Sequence, residues 1–282
     1  MEIKMRELEL LKEYVQYLYM EEHTKRTIEK YRRDVQVFLN ALPCGQEISK
    51  ERVIAWKTEL QQNGYAVATI NSMLAAVNGF LRFTKRENCC VKPLKQQRKI
   101  FRDKEKELSQ EEYRSLLKAA KQKNQHRLML VMETICATGI RVSELEYITV
   151  EAAQKGKAVV NCKNKSRVII IPEKLCRKLL AYSAKKMVRQ GTVFLSRNGK
   201  PLNRSNIWAD MKKLCERAGV DRTKVFPHNL RHLFARVFYR FEKDIAKLAD
   251  VLGHSSIETT RIYIMESGME HARMIEKMGL II

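Results

Sequence analysis

The chain has 282 residues, and its 54 lysines and arginines against 32 acidic residues give a net charge of +22. This length allows one large domain or two ordinary ones with a buried core, and 45% hydrophobic with 30% charged residues is typical of a soluble globular protein. A charge this large favours a polyanionic partner such as nucleic acid, since each neutralised phosphate releases condensed counterions. The alternative is a ribosome-associated or merely basic protein.

The cysteines and the hydrophobic segments exclude several classes of protein. The seven cysteines include no CxxC pair and leave an odd residue over, which argues against a disulfide framework or a cysteine-based zinc site. Residues 1–20 mix charged with apolar positions, unlike a signal peptide, and no stretch reaches the ~20 apolar residues of a membrane span. We therefore expect a soluble, cytoplasmic protein.

Residues 1–87 carry the pattern of a helical module. Apolar residues recur at helical spacing between Ile28 and Leu42, and Ile70 begins a second such stripe. Ser49 and Gly64 mark the start and the end of another helix. We predict four or five helices whose apolar stripes form a core.

The helical pattern is interrupted in residues 82–106, which hold ten lysines and arginines, three acidic residues and Pro93. We predict an N-terminal helical, DNA-binding domain at 1–92, a basic linker at 93–106 and a catalytic domain at 107–282. The basic run is either a solvated surface or a segment that follows a DNA backbone, and the two interpretations are equally open. The candidate DNA contacts in this region are Arg82, Lys85, Arg86, Lys95, Arg98 and Lys99.

The second domain is predicted to be mainly α with a small β-hairpin. Ser109 and Glu112 match a capping box, and Gly139 ends the helices that follow. The β-rich runs at 159–161 and 168–171 flank a polar, basic turn, which is typical of a hairpin. Further helices are predicted at 143–149, 173–188, 203–218, 228–240, 243–252 and 256–265.

Two arginines of this domain are candidates for holding a phosphodiester. A phosphodiester under attack gathers negative charge on its non-bridging oxygens, and a guanidinium is planar, always charged and able to donate to two oxygens at once. Arg141, in TGIRVSEL, follows a helix end, and Glu144 lies where it can fix the guanidinium. Arg231 lies in PHNLRH. Either arginine alone is more often part of a surface ion pair.

Two histidines and a tyrosine complete the set. His228 shares a helical face with the arginine three residues later. His254 follows a glycine, and Ser255 with Glu258 matches a second capping box that starts a helix carrying Tyr263. A phenol becomes a nucleophile where guanidinium groups favour the phenolate and a histidine accepts the proton. Most tyrosines and histidines in such helices have only a packing role.

The predicted hairpin supplies a candidate proton donor for a leaving 5′ oxygen. Lys163 and Lys165 flank Asn164 in the turn, and a flexible lysine there can reach such an oxygen. Hairpin lysines more often only keep a strand edge soluble. Lys165 and Arg167 are also candidate DNA contacts.

Together these motifs resemble the tyrosine recombinase family, which includes phage-type integrases and the Xer resolvases. The family's pattern is an arginine in TGxRxSEL, a lysine in a β-hairpin, HxxR, and a histidine in LGH with the tyrosine nine residues later. Every element is present in order across residues 138–263, whereas the N-terminal helices match only in kind. The hairpin departs from the pattern, because CKNKSR is one residue shorter than the GKGNKER of Xer-like relatives. This difference favours Lys163 over Lys165 as the proton donor but does not exclude Lys165.

The resemblance implies a mechanism that uses no metal, ATP or other cofactor. Tyr263 would attack the scissile phosphate and form a 3′-phosphotyrosine link with release of a 5′-hydroxyl. A 5′-hydroxyl of the partner strand would then reverse the step. The other implied roles are transition-state stabilisation by Arg141, Arg231 and His254, proton acceptance by His228 and proton donation by Lys163.

The resemblance also implies partners, namely double-stranded DNA at a specific recombination site and three further copies of the chain in a homotetramer. In the family the C-terminal segment of each protomer docks on a neighbour. An apolar terminus more often packs on its own domain, but the resemblance favours docking in trans. The apolar residues of this segment are Met274, Ile275, Met278, Leu280, Ile281 and Ile282. The alternative functions are a type IB topoisomerase-like nicking-closing enzyme and a non-catalytic DNA-binding protein.

Overall fold

The computed structural model describes residues 2–43, 46–95, 104–162, 165–196, 198–264 and 276–278. The chain divides into two compact units, one within residues 1–98 and the other within residues 99–282. Each unit has its own hydrophobic core. Within the described ranges, no helix is both long enough and apolar enough to cross a membrane.

The first unit is the predicted helical module. Its elements are α1 (Glu2–Met20), α2 (Lys25–Ala41), α3 (Lys50–Gln62), α4 (Val67–Phe83) and a 3-10 turn at Glu87–Cys89. Ser49 caps α3 as predicted, since its hydroxyl oxygen accepts from the backbone N–H of Arg52. The predicted apolar stripe of α4 is buried, from Ile70 to Leu81.

Two asparagines of α4 hold the chain that follows it. The side chain of Asn78 donates to the carbonyl oxygen of Val91 at 2.8 Å and accepts from its N–H at 3.1 Å. Asn71 makes the same pair of hydrogen bonds with Leu94, at 2.9 and 2.8 Å. The start of the basic segment is therefore fixed to this helix as far as the structure describes it.

The second unit opens with a helical pair. Its first elements are α5 (Gln110–Gln122), α6 (His126–Thr138), a 3-10 turn at Val142–Tyr147 and α7 (Val150–Lys155). The predicted capping box of Ser109 and Glu112 is present, and Gly139 ends α6 with a left-handed φ of 63°. The short α-helix expected at 143–149 is the 3-10 turn. Helix α7 was not predicted, because six residues are too few to show a period, although Thr149 caps it and Gly156 ends it.

A two-stranded antiparallel hairpin follows, as predicted. Its strands are β1 (Lys157–Cys162) and β2 (Lys165–Ile170). Val160 and Ile169 are buried on one face, whereas Val168 and Ile170 are exposed on the other. Arg167 pairs with Val160 and so belongs to the buried face.

The described helices of the rest of the unit are α8 (Glu173–Lys185), α9 (Arg204–Lys212), α10 (Cys215–Ala218), α11 (Pro227–Glu242), α12 (Ile245–Leu252) and α13 (Ile257–Ile264), with a 3-10 turn at Arg222–Lys224. The single helix expected at 203–218 is divided into α9 and α10. At Leu214 the backbone N–H bonds to the carbonyl of Met211, three residues back, so the α-helical ladder changes there. The expected N-cap of α13 is also shifted by one residue, because the helix begins at Ile257 and Ser256 precedes it.

Helices α11, α12 and α13 meet in a small core of their own. Ala235, Leu248, Leu252 and Tyr263 are its buried members. His228, Arg231, His254 and Tyr263 lie on these three helices and on the turn between α12 and α13, whereas Arg141 precedes the 3-10 turn Val142–Tyr147. Their packing fixes where the motif side chains point.

Candidate active site

Helix α11 carries three site residues on its first two turns. Pro227 stands at the start of the helix, where a missing N–H costs nothing. His228, Arg231 and His232 follow at helical spacing, and the exposed fraction is only 1% for Arg231 and 8% for His232. The helix therefore directs Arg231 and His232 inward, whereas His228 is exposed.

The buried guanidinium of Arg231 is held by the ends of two other helices. It donates to the carbonyl oxygen of Gly139, which follows α6, and to that of Leu252, the last residue of α12, at 2.8 Å. Helix C-termini are the negative ends of the helix dipoles, so they compensate a buried positive charge. Burial, and then the nearby charge of Arg141, lower the pKa of Arg231 to about 10, which leaves it charged at neutral pH.

His254 completes the coordination of this arginine. Its Nε2 lies 2.8 Å from the guanidinium of Arg231, and because a guanidinium can only donate, Nε2 accepts. The proton of the neutral ring is then on Nδ1, which donates to the hydroxyl of Thr260 at 2.9 Å. Burial, followed by the charges of Arg231 and Arg141, lowers the pKa of His254 to about 4. The ring is therefore neutral at pH 7 and orients Arg231.

Arg141 lies at the exposed side of the site. Its Nη1 is 3.0 Å from a carboxylate oxygen of Glu144, and its backbone N–H donates to the other oxygen at 2.9 Å. The Arg141 side chain is 41% exposed, whereas that of Glu144 is 3% exposed. Burial alone would raise the pKa of Glu144, but the hydrogen bond from the Arg141 backbone and the charge of Arg167 outweigh it and lower that pKa. The contact between Arg141 and Glu144 has the geometry expected from their spacing.

Arg167 does not occupy the position expected of a DNA contact. Its guanidinium forms an ion pair with Glu144 and donates from Nη1 to the carbonyl oxygen of Val251 at 3.0 Å. Its side chain is only 14% exposed, because the strand register turns it towards the interior. This geometry does not support the expected phosphate contact.

Tyr263 lies among three histidine rings. Its hydroxyl is 3.2 Å from Nε2 of His228. Its ring is stacked on that of His232, with centroids 4.2 Å apart and 24° between the planes, and the His254 ring is 5.2 Å away. His232 was not predicted from the sequence. The available signal was its position four residues after His228 on one helical face, a pattern that many core histidines share.

The remaining candidates are distributed over both units. Lys163 lies outside the described residues, and for Lys165 only the backbone at the start of β2 is described. In the first unit Arg86 forms a two-point ion pair with the buried Glu7, at 2.8 and 3.0 Å, so its guanidinium is already engaged. Of the other candidates in that region, Arg82, Lys85 and Lys95 are exposed, and Arg98 and Lys99 lie outside the described residues.

The site combines a tyrosine hydrogen-bonded to a histidine with two nearby arginines, in a mainly helical fold of two units. This combination defines a class of enzyme that attacks phosphodiesters with a tyrosine. The chain belongs to the phage integrase family, whose family model matches residues 106–269, more than half of the chain. The model of the phage integrase N-terminal SAM-like domain matches residues 11–88. The resemblance drawn from the sequence is thereby confirmed, and with it the assignment as a tyrosine-type site-specific recombinase.

Individual relatives agree with this assignment. The chain is 27% identical over 281 residues to the tyrosine recombinase XerA of Pyrococcus furiosus, covering 97% of this chain and 95% of that protein. It is 28% identical over 264 residues to the tyrosine recombinase XerD of Halalkalibacterium halodurans, covering 85% and 87% of the two chains. A solved lambda integrase tetramer bound to a Holliday junction has a similar fold, with a TM-score of 0.72 at 18% identity over 90% of this chain and 76% of that one.

Proposed function

We propose that this chain cleaves double-stranded DNA at a specific site, links itself to the 3′ phosphate through Tyr263, and exchanges strands within a homotetramer. The observation that carries the proposal is the 3.2 Å contact between the Tyr263 hydroxyl and Nε2 of His228. This is the distance at which a general base can accept a proton from a nucleophile. The family membership supports the reaction class, and the geometry supports the residues.

In the proposed first step the Tyr263 oxygen attacks the scissile phosphorus and its proton passes to His228. The bond between phosphorus and the 5′ oxygen breaks, which leaves a 3′-phosphotyrosyl link and a 5′-hydroxyl. Attack by a 5′-hydroxyl of the partner strand reverses these bond changes. The energy of the phosphodiester is retained in the link, so the cycle requires no ATP.

The two arginines stabilise the transition state in different ways. Arg141 is exposed enough to donate directly to a non-bridging oxygen of the phosphate. Arg231 is buried and interacts with Tyr263, so it supplies positive charge near the reacting oxygen in a low-dielectric setting. His254 keeps that guanidinium in place. Its proposed role is therefore to position Arg231, whereas the resemblance implied direct stabilisation of the transition state.

The proton for the leaving 5′ oxygen comes from the hairpin turn in this proposal. Lys163 is the proposed donor and Lys165 the alternative, on the sequence argument alone. The exposed Arg82, Lys85 and Lys95 contact the DNA backbone from the N-terminal module. The proposal keeps the cytoplasmic location that was expected from the sequence.

The proposed tetramer includes the C-terminal segment, which docks on a neighbouring copy. Most of that segment lies outside the described residues, but the catalytic unit offers an apolar acceptor. A cavity of about 410 Å³ lies between α5, α6 and α11, and its lining includes Tyr113, Leu233, Phe234 and Phe238. Phe241 at its edge is 85% exposed. An exposed apolar surface of this kind fits the methionines and isoleucines of the segment.

The test is covalent trapping of DNA on a denaturing gel, in EDTA, with wild type beside Tyr263→Phe. We expect a protein–DNA adduct from the wild type alone, with DNA binding retained by both, because the substitution removes only the attacking oxygen. Tyr19→Phe is the matched control, since Tyr19 is 73% exposed in the first unit. An adduct from Tyr263→Phe would contradict the nucleophile, and loss of the adduct in EDTA would contradict the metal-free mechanism. The trapped DNA also gives the target sequence.

A further inference from the structure

Thr260 is a buried polar residue on the helix that carries the nucleophile. It lies on α13 three residues before Tyr263, and 0% of its surface is exposed. Threonines inside helices commonly donate to the carbonyl oxygen four residues back, as Thr134 and Thr138 do in α6. The hydroxyl of Thr260 has a different partner, Nδ1 of His254, at 2.9 Å. This hydroxyl therefore serves a residue of the active site.

The two nitrogens of the His254 ring have opposite roles, and each has its own partner. Because the guanidinium of Arg231 can only donate, Nε2 accepts from it at 2.8 Å and carries no proton. The proton of the neutral ring is on Nδ1 and is donated to the hydroxyl oxygen of Thr260. The tautomer of a histidine is set by contacts of this kind at its two nitrogens. Thr260 is thus the acceptor that favours the observed tautomer.

Loss of the threonine hydroxyl would leave the Nδ1–H group without this acceptor inside the protein. A buried donor without a partner is costly, so the ring would turn, or move its proton to the other nitrogen, to gain one. Either change takes the unprotonated Nε2 away from Arg231. The contact at Nδ1 therefore controls the contact at Nε2.

The same contacts place α13 in register with α11. Tyr263 of α13 bonds to His228 of α11 at 3.2 Å. Thr260, one turn earlier on α13, is connected through His254 to Arg231, one turn later on α11. Residues three apart lie on the same face of a helix, so the two connections join the same pair of faces. A slide of one helix along the other breaks both connections.

We propose that Thr260 is a positioning residue of the active site and acts through His254. Its hydroxyl selects the tautomer of His254 that accepts from Arg231, and this connection keeps Tyr263 in register with its base. The effect on catalysis rests on the proposed function, whereas the tautomer is a property of the protein without DNA. A threonine that only filled space would have neither effect.

The tautomer is measured by NMR of the ring nitrogens in protein labelled with ¹⁵N-histidine, at pH 7 and without DNA. A protonated and an unprotonated ring nitrogen have different chemical shifts, and His254→Phe identifies the signals of His254 among the six histidines. We expect a proton on Nδ1 in the wild type and in Thr260→Ser, which keeps the hydroxyl. Thr260→Val keeps the shape and removes the hydroxyl, so it should shift the proton to Nε2 or mix the two tautomers.

The effect on catalysis is measured as single-turnover cleavage of DNA that bears the site recovered by trapping. We expect Thr260→Val to slow cleavage by roughly 10- to 100-fold, which is the range that a small misplacement of reacting groups costs. Thr260→Ser should retain most of the rate, and both variants should bind DNA as the wild type does. Thr259→Val is the matched control, since it removes an exposed hydroxyl from the next position of the same helix.

A double-mutant cycle shows whether Thr260 acts through His254. His254→Phe keeps a flat ring without nitrogens, so adding Thr260→Val to it should slow cleavage little further. Thermal unfolding is measured for every variant. Thr260→Ala also removes the hydroxyl and decides the test if Thr260→Val does not fold.

Four outcomes would overturn the inference. These are a wild-type tautomer in Thr260→Val, equal slowing by the valine and serine variants, full slowing by Thr260→Val in the His254→Phe background, and failure of both hydroxyl-free variants to fold. If the wild type forms no adduct with DNA, the proposed function itself fails. The tautomer, which is measured without DNA, distinguishes that failure from a failure of the role of Thr260.

Discussion

The contact between His254 and Arg231 determines the protonation state at the centre of the site. His254 is neutral because burial and then the charges of Arg231 and Arg141 disfavour a further positive charge there. Neutrality in turn leaves Nε2 free to accept from Arg231. The two residues therefore act together, and protonation of His254 would break its hydrogen bond with Arg231.

The first prediction at this scale concerns stability at low pH. The pKa of His254 is about 4 in the folded protein against an ordinary 6.5, so the unfolded chain takes up the proton first as the pH falls. Stability should be unaffected by this group above pH ~6.5, decrease between 6.5 and 4, and show no further effect below 4. We expect thermal unfolding temperatures to fall more steeply over this window for the wild type than for His254→Gln. Unfolding temperatures that fall in parallel with pH for the two proteins would contradict the lowered pKa of His254.

A second prediction concerns His232, whose ring is stacked on the nucleophile. Removing the ring in His232→Ala frees one face of Tyr263, and a stacked aromatic pair contributes ~0.5–1.5 kcal/mol. Cleavage should slow by roughly 2- to 12-fold if that energy places the phenol for attack. His232→Phe keeps a flat ring and should restore most of the rate. Equal defects in both variants would show that an imidazole nitrogen matters instead of stacking.

At the scale of elements, the site is built where helices end. Helices α6 and α12 both end in glycines with φ near +63°, and carbonyl oxygens at both ends accept from Arg231. A helix end exposes carbonyls that the helix itself cannot satisfy, and the buried guanidinium satisfies them. The same pairing fixes both turns against α11.

This arrangement predicts a specific effect of Gly253→Ala. A left-handed conformation costs an alanine roughly 1–2 kcal/mol wherever it occurs, and here the new methyl group also displaces Arg167. Gly219→Ala is the matched control, because Gly219 has the same φ of +63° after α10 and nothing within 4 Å of its added Cβ. Both variants should lose thermal stability, Gly253→Ala by more because it also displaces Arg167, and only Gly253→Ala should also cleave DNA slowly. Equal cleavage rates of the two folded variants would show that the contact between Gly253 and Arg167 does not matter for activity.

At the scale of the whole molecule, charge and the apolar C-terminal segment act on different partners. The net charge of +22 favours DNA through counterion release, which is independent of base sequence. Assembly of copies on that DNA depends instead on apolar contact in the proposed tetramer. The two steps should therefore be separable.

Deletion of residues 270–282 tests this separation. We expect binding of single protomers to DNA to be retained and higher-order complexes on a gel to be lost. Phe241→Ser should give the same loss from the acceptor side, and since Phe241 is 85% exposed the fold should not suffer. Tyr19→Ser, at a 73% exposed position of the first unit, is the control. Unchanged assembly in both test variants would contradict docking in trans.

The sequence by itself determined the mainly helical architecture, the hairpin and the identity of the motifs. These depend on local chemistry: the Ser109 capping box, the left-handed Gly139 and the proline that starts α11 each act through neighbours within a few residues. The HxxR spacing also places His228 and Arg231 on one face without reference to the rest of the chain. At α7 and at the break near Leu214 the local signals were too short or too unspecific, so the sequence did not predict these two features.

Only the tertiary structure decided how the motif residues act. The contact between Arg231 and Gly139 joins positions 92 residues apart, and that between Arg167 and Val251 joins positions 84 apart. Burial and charge from such distant segments make His254 neutral, turn Arg167 inward and bring His232 onto Tyr263. Electrostatic environment depends on proximity in space, which spacing along the chain does not encode.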